Sequence, residues 1–339
     1  MKPVTIIGGG LAGLSLGIAL RSREVPVRLI EAGTYPRHRV CGEFICGVRE
    51  TTLETLGIAD ALADSRRHMS TAWFDQDGQQ TYAGTLPRSA YGISRYQLDR
   101  RLAGRFEALG GTLETGRTWT GDFSRAGVVQ AAGRPSHRSP WLGLKLHARG
   151  LTTRADLEIH LGRDAYMGIS PVEGDRVNVC GLFLKRMRLR GRREQLLLNY
   201  LEAAGLGPLA KRLREAALDP DSLSGVSHIC FHRTWRTADR LRIGDSYTVI
   251  PPFTGNGMSM AFESAEAALA PLLTWARNEA DWPATLQAAN QALDWRFRTR
   301  LATARTLHPL IYRRWGQAAL QSLGRHALLP FRPLFQLTH

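Results

Sequence analysis

The feature that most constrains this chain lies within its first 31 residues. Val4-Thr5-Ile6-Ile7 is a short apolar, partly β-branched run, and Gly8-x-Gly10-x-x-Gly13 follows it directly. An apolar stretch from Leu14 to Leu20 comes next, then a second strand-like run, Val25 to Ile30, closed by Glu31. Strand, glycine turn, helix and strand in this order predict a βαβ unit on a parallel sheet. Gly8 permits a tight turn, Gly10 lets backbone approach a pyrophosphate, and Gly13 lets helix and strand pack closely. The helix N-terminus offers free N–H groups and the positive end of its dipole to phosphate. Glu31, 18 positions beyond Gly13, is placed to accept hydrogen bonds from an adenosine ribose. Ala12, inside the motif, is a further expected contact.

The chain has 339 residues, 43% of them apolar and 22% charged, enough for one large core or two joined ones. No apolar run reaches the ~20 residues of a membrane-spanning helix. The N-terminal apolar run is short and ends in glycines, so it reads as a buried strand and not as a secretion signal, and a cytoplasmic location is expected. Cys41, Cys46, Cys180 and Cys230 are too few and scattered for a disulfide scaffold, and no metal-ligand spacing is present. Net charge is +15, and all but four of the 45 cations are arginine. Such a field draws anions: a phosphorylated cofactor, an acidic carrier protein or an anionic membrane surface. No nucleic-acid recognition motif accompanies the charge, so nucleic acid is not an expected partner.

Further along, residues 71–84 read as a hairpin turning at Asp77-Gly78, and residues 96–109 as a helix. Residues 157–183 alternate in the manner of antiparallel strands, and the chain is mostly helical after Pro251-Pro252. Gly244-Asp245 follows a strand-like triplet. Pro252-Phe253-Thr254-Gly255-Asn256-Gly257-Met258 then leads into a helix at Ser259. A second glycine-rich helix start, over 240 residues after the first, suits the far polar end of a long ligand. A flavin has such an end: its N1–C2=O edge becomes negative on reduction, and a helix N-terminus stabilises that charge. The expectation is therefore FAD, with Asp245 on a ribityl or ribose hydroxyl and with Pro252, Gly255, Asn256, Gly257 and Met258 around the ring.

These segments resemble the FAD-dependent flavoproteins related to para-hydroxybenzoate hydroxylase, and within them the geranylgeranyl reductase branch. The resemblance covers roughly residues 1–275 and rests on four stretches. They are GGGLAG with Glu31; Pro36-Arg37-His38-Arg39-Val40-Cys41-Gly42-Glu43; Ser94-Arg95 with Leu98-Asp99; and Gly244-Asp245 with PPFTGNGM. It implies that Arg39, Cys41, Gly42 and Arg95 belong to loops over the flavin. The chain departs from the hydroxylases at Ala132, where their second fingerprint carries aspartate. It departs from the lipid reductases at Tyr166-Met167-Gly168-Ile169-Ser170-Pro171, where two bulky aromatics are missing. It also lacks the Trp-x-Trp-x-Ile of flavin halogenases.

The expected fold is α/β: a Rossmann-type FAD-binding domain (1–70, 90–136 and 238–275), an inserted antiparallel substrate domain (71–89 and 137–237) and a helical C-terminal segment (276–339). The preferred function is reduction of a C=C bond in an apolar small molecule (isoprenoid-, polyketide- or aromatic-like) by hydride from reduced flavin, with NADH or NADPH as electron donor. Tyr166, Cys41 or a water is the expected proton source. The preference rests on the presence of Cys41-Gly42-Glu43 and the absence of the Asp-Gly signature. The alternatives are a monooxygenase acting on an aromatic or polyketide substrate and, in another class, a non-catalytic nucleotide-binding protein. Cys46, Cys180 and Cys230 read as core residues, and His147 as a structural histidine at an alternating strand position. The tail from Trp295 to His339 holds eight arginines and no acidic residue, interleaved with Leu301, Leu307, Leu310, Ile311 and Trp315. It reads either as a helix packed on its own catalytic domain or as a basic amphipathic helix lying on a membrane or an acidic partner.

Overall fold

A computed structural model describes residues 1–135, 137–185, 189, 191, 192, 194–231 and 239–339. Ser136 and the expected domain boundary at 237/238 lie outside the described residues. Two sheets form among the described ones. The first is parallel, in the order Leu241–Arg242, Val128–Gln130, Val4–Ile7, Val27–Ile30, Thr112–Glu114. Val4–Ile7 sits at its centre because its side chains are buried on both faces, as parallel strands require. The helix Leu11–Arg21 leaves that strand through the glycine turn and is buried from Leu11 to Leu20. The helices Arg95–Ala108 and Gly257–Ala276 pack against it. The first of these is capped by Ser94, whose Oγ accepts the Gln97 N–H.

The second sheet has eight strands. They run Ala217–Ser227, Trp141–Arg149, Arg176–Leu184, Ala165–Pro171, Leu157–Gly162, Arg66–Phe74, Gln80–Gly92, Phe44–Ile45. Its pairs are antiparallel except Arg66–Phe74 with Leu157–Gly162. The expected hairpin is present and longer than the sequence signal, closing through Asp75 to Gln79. The boundaries expected at 70/71 and 89/90 fall inside strands, so the second sheet continues into segments expected to belong to the FAD unit.

Strand alternation assigns this sheet's two faces. Ala165, Met167 and Ile169 join a core with Leu144, Leu146, Val179 and the helices Glu194–Ala203 and Gly207–Arg214. Tyr166, Gly168 and Ser170 face the other way, into a cavity.

The chain ends in three helices: Trp282–Tyr312, Arg314–Arg325 and Phe331–Thr338. The long helix starts at Asp281, whose carboxylate accepts the Ala284 N–H. It buries Phe297, Leu301, Ala304, Ile311 and Tyr312 against the body of the protein. The tail is thus built into the core, in agreement with the first of its two readings. Trp315 departs from that reading, being 59% exposed. No described helix is long and apolar enough to cross a membrane.

Candidate cofactor and substrate site

A cavity of about 590 Å³ lies between the two sheets and is closed on its far side by the C-terminal helices. One half is the glycine turn. A Cβ on Gly13 would stand 2.0 Å from the Gly8 carbonyl oxygen, and one on Gly8, whose φ is +110°, would stand 2.2 Å from that of Ala131. These two glycines make the turn possible but do not line the cavity. Gly10 does, and a Cβ there would meet nothing within 4 Å. The helix behind it has no side-chain cap, which leaves its first N–H groups to a ligand.

Glu31 lines the same end. Its carboxylate accepts the Gly9 N–H at 2.7 Å and the Gly33 N–H at 2.8 Å, and pairs with Arg37 at 2.5 Å. Burial acts most strongly on it and would raise its pKa. The Gly33 and Gly9 N–H bonds and the Arg37 and Arg39 charges outweigh burial and keep it below the usual carboxylate range.

Arg95 holds the fully buried Asp99 through two bonds, 2.7 and 2.9 Å, and Arg39 reaches the same carboxylate at 3.1 Å. Arg39 nevertheless keeps a buried Nη2 with no hydrogen-bond partner, and Arg37 a buried Nε. Asp245 borders this region and has no hydrogen-bond partner among the described residues. Burial raises its pKa against the pull of Arg134, Arg95 and Arg39. Gly244 brings it close, because a Cβ on Gly244 would stand 2.9 Å from that of Ala12. Unpartnered arginine donors, an uncapped helix start and an acceptor carboxylate fit the phosphates and hydroxyls of a dinucleotide. Asp245→Ala is expected to weaken FAD binding by about 1–3 kcal/mol, the range for unpairing buried polar partners. Titration of the apo-protein measures it, and unchanged affinity means the carboxylate does not touch the ligand.

Pro252, Gly255, Gly257 and Met258 line the cavity at the second helix start. Asn256 does not. Its side chain is fully buried and donates to the Thr338 carbonyl at 2.5 Å, tying the last helix to this loop.

Cys41, Gly42 and Tyr166 all reach the cavity. Burial pushes the Cys41 thiol and the Tyr166 phenol up, the latter well above its ordinary value, so both stay protonated near neutrality. Tyr166 packs edge-on to Tyr312, with ring centroids 5.8 Å apart. Cys46 and Cys180, expected as core residues, also border the cavity, and burial pushes Cys46 up to about 12.

The third member of the Cys-Gly-Glu tripeptide turns away from the cavity. Glu43 is fully buried in the left-handed backbone region, at φ +51°. Its carboxylate accepts the Arg95 N–H at 2.9 Å and the His147 Nε2–H at 2.6 Å, and it meets Lys145 at 3.3 Å. Lys145 in turn donates to His38 Nδ1 at 3.2 Å. Burial and the Lys145 charge push His38 down to about 4, which keeps that nitrogen an acceptor. Asn178, opposite His147 in the sheet, donates to the Cys41 carbonyl at 3.1 Å. Lys145, His147 and Asn178 thus fasten the loop 36–43 from below. Of these three only His147 is marked by the sequence, through strand alternation.

No protein-family model matches the sequence, and no curated protein matches it. Solved structures do match in fold. HpxO of Klebsiella pneumoniae, complexed with FAD and uric acid, superposes with a TM-score of 0.77 at 18% identity, over 100% of this chain and 96% of that one. The p-nitrophenol 4-monooxygenase PnpA of Pseudomonas putida DLL-E4 gives 0.76 at 12% identity, over 100% and 97%. The flavin-dependent brominase Bmp2 gives 0.71 at 16%, over 99% and 92%. The likeness is one of fold: the α/β architecture is shared with HpxO, PnpA and Bmp2 along nearly the whole chain.

Proposed function

We propose that the chain binds FAD in the glycine-lined half of the cavity and uses it to oxygenate an apolar small molecule held in the other half. One observation carries the reading: the dinucleotide cradle opens into a chamber walled by Trp73, Leu182, Phe231, Leu310 and Phe331, all lining the same cavity. When bound and reduced, FAD supplies two electrons, either to dioxygen or as a hydride to an unsaturated acceptor. The chain's own residues exclude water from that chamber and offer a few polar atoms. Tyr166 presents a phenol that can donate a hydrogen bond, and Thr71 and Ser170 present hydroxyls. Fold neighbours that include a p-nitrophenol monooxygenase favour oxygenation over the reduction preferred from sequence. The tripeptide behind that preference also loses its weight, because Glu43 serves as a loop anchor and does not touch the cavity. Halogenation is not proposed, since the Trp-x-Trp-x-Ile motif is lacking.

NADH or NADPH is the proposed reductant, identified by which one bleaches the flavin anaerobically. With that donor and apolar phenolic or polyketide compounds under ¹⁸O₂, the expected product carries one heavy oxygen. Anaerobic turnover of an unsaturated compound, with no oxygen incorporated, would establish the reductase instead.

A further inference from the structure

The C-terminal helices close the cavity with Leu320, Leu329, Phe331, Leu334 and Phe335 on their inner side. Their outer side is apolar as well. On the helix Arg314–Arg325, Gly316, Gln317 and Leu320 are buried, while Trp315, Ala318, Ala319, Ser322 and Leu323 are exposed. At 100° per residue the exposed set spans an arc of about 140°. Leu328 is 67% exposed and Leu337 49%, so residues 315–337 hold four of the large apolar side chains left in solvent among the described residues.

Arg314 and Arg325 flank this arc on the same helix, Arg313 immediately precedes it and Arg332 opens the next helix, and all four are exposed. Arg325 pairs with Asp75, but the other three form no ion pair among the described residues. The segment 295–339 has no acidic residue to neutralise them. Unpaired arginines beside exposed tryptophan and leucine match a surface that is anionic outside and apolar beneath. An acidic protein would satisfy the arginines but gives no reason for the leucines.

We propose that residues 313–337 are a membrane-docking face that seats the apolar end of the cavity against an anionic bilayer. The same two short helices then present apolar side chains to the lipid and to the chamber, which suits a substrate that partitions from the membrane. Docking does not depend on which reaction the site performs, and its test reads binding alone.

The test is cosedimentation of the full-length flavoprotein with vesicles of equal phosphatidylcholine and phosphatidylglycerol, and with phosphatidylcholine alone. Binding is expected to the first and not the second, and it should weaken as salt rises. Arg313→Glu with Arg314→Glu should reduce affinity by more than about 25-fold, since each arginine near the surface contributes about fivefold. Trp315→Ser with Leu328→Ser should reduce it by about tenfold or more, from lost apolar burial. These side chains are exposed, so flavin absorbance and melting temperature should be unchanged in both variants. Absence of binding to anionic vesicles at low salt overturns the proposal, whether or not an acidic carrier protein binds instead. Binding that ignores the Trp315 and Leu328 substitutions overturns it too.

Discussion

Gly10→Val is expected to yield a folded protein that has lost its flavin. The hydrogen that valine replaces points into open cavity, with nothing within 4 Å of a Cβ. The fold therefore tolerates the side chain, but the space it fills is the one the proposed FAD site gives to the pyrophosphate. An overpacking penalty of ~3 kcal/mol corresponds to a loss of affinity on the order of 100-fold. Gly13→Val should behave differently. Its Cβ would lie 2.0 Å from the Gly8 carbonyl oxygen, so helix and turn must separate and the protein itself should unfold or aggregate. Far-UV dichroism with flavin absorbance separates the two outcomes. A Gly10→Val protein that keeps its flavin places the ligand elsewhere.

The second large effect concerns Glu43. Glu43→Gln leaves the fully buried Lys145 without its counter-charge, and breaking a buried pair in this way costs about 3–5 kcal/mol. For a chain of this size the melting temperature should fall by roughly 10 °C. Adding Lys145→Met should restore part of the loss, since no buried charge is then unpaired. Glu43's pKa direction adds a pH dependence. Burial alone would raise it, but the His147 hydrogen bond and the Lys145 charge hold it below the ordinary carboxylate value. Its contribution is therefore complete above the unfolded value of about 4.3 and disappears as pH falls through the lower folded value. The gap between wild type and Glu43→Gln should narrow below about pH 4. A gap that is absent at pH 7, or constant with pH, contradicts the assignment.

The sequence made the glycine turn legible because everything that defines it is local: strand, turn and helix follow within 21 residues. Motif pointed to Asp245 and resemblance to Arg39 and Arg95, and all three line the cavity. The anchor beneath the loop 36–43 was not legible. Glu43 and His147 are 104 positions apart, and their meeting depends on which face of Trp141–Arg149 turns toward the loop. Alternation gave His147 a face but could not supply its partner. Asn256 misled for a related reason. Its position in a glycine-rich helix start suggested a ligand contact, whereas its amide is engaged by a carbonyl 82 residues away. Only the packed reading of the tail put Trp315 on the inner face, and helical spacing cannot distinguish an apolar stripe that meets the core from one that meets solvent. The preference for reduction rested on a tripeptide whose members divide their work. Gly42 opens to the cavity while Glu43 is spent on the loop.

The central claim is that this cavity is an FAD site, and the flavin released from the purified protein tests it most directly. Heat or acid release followed by chromatography should give FAD, close to one per chain, from a yellow protein. A colourless protein that takes up no FAD when it is supplied, or one that releases FMN alone, would contradict the claim, because the glycine turn and Glu31 would then have no adenosine diphosphate half to hold.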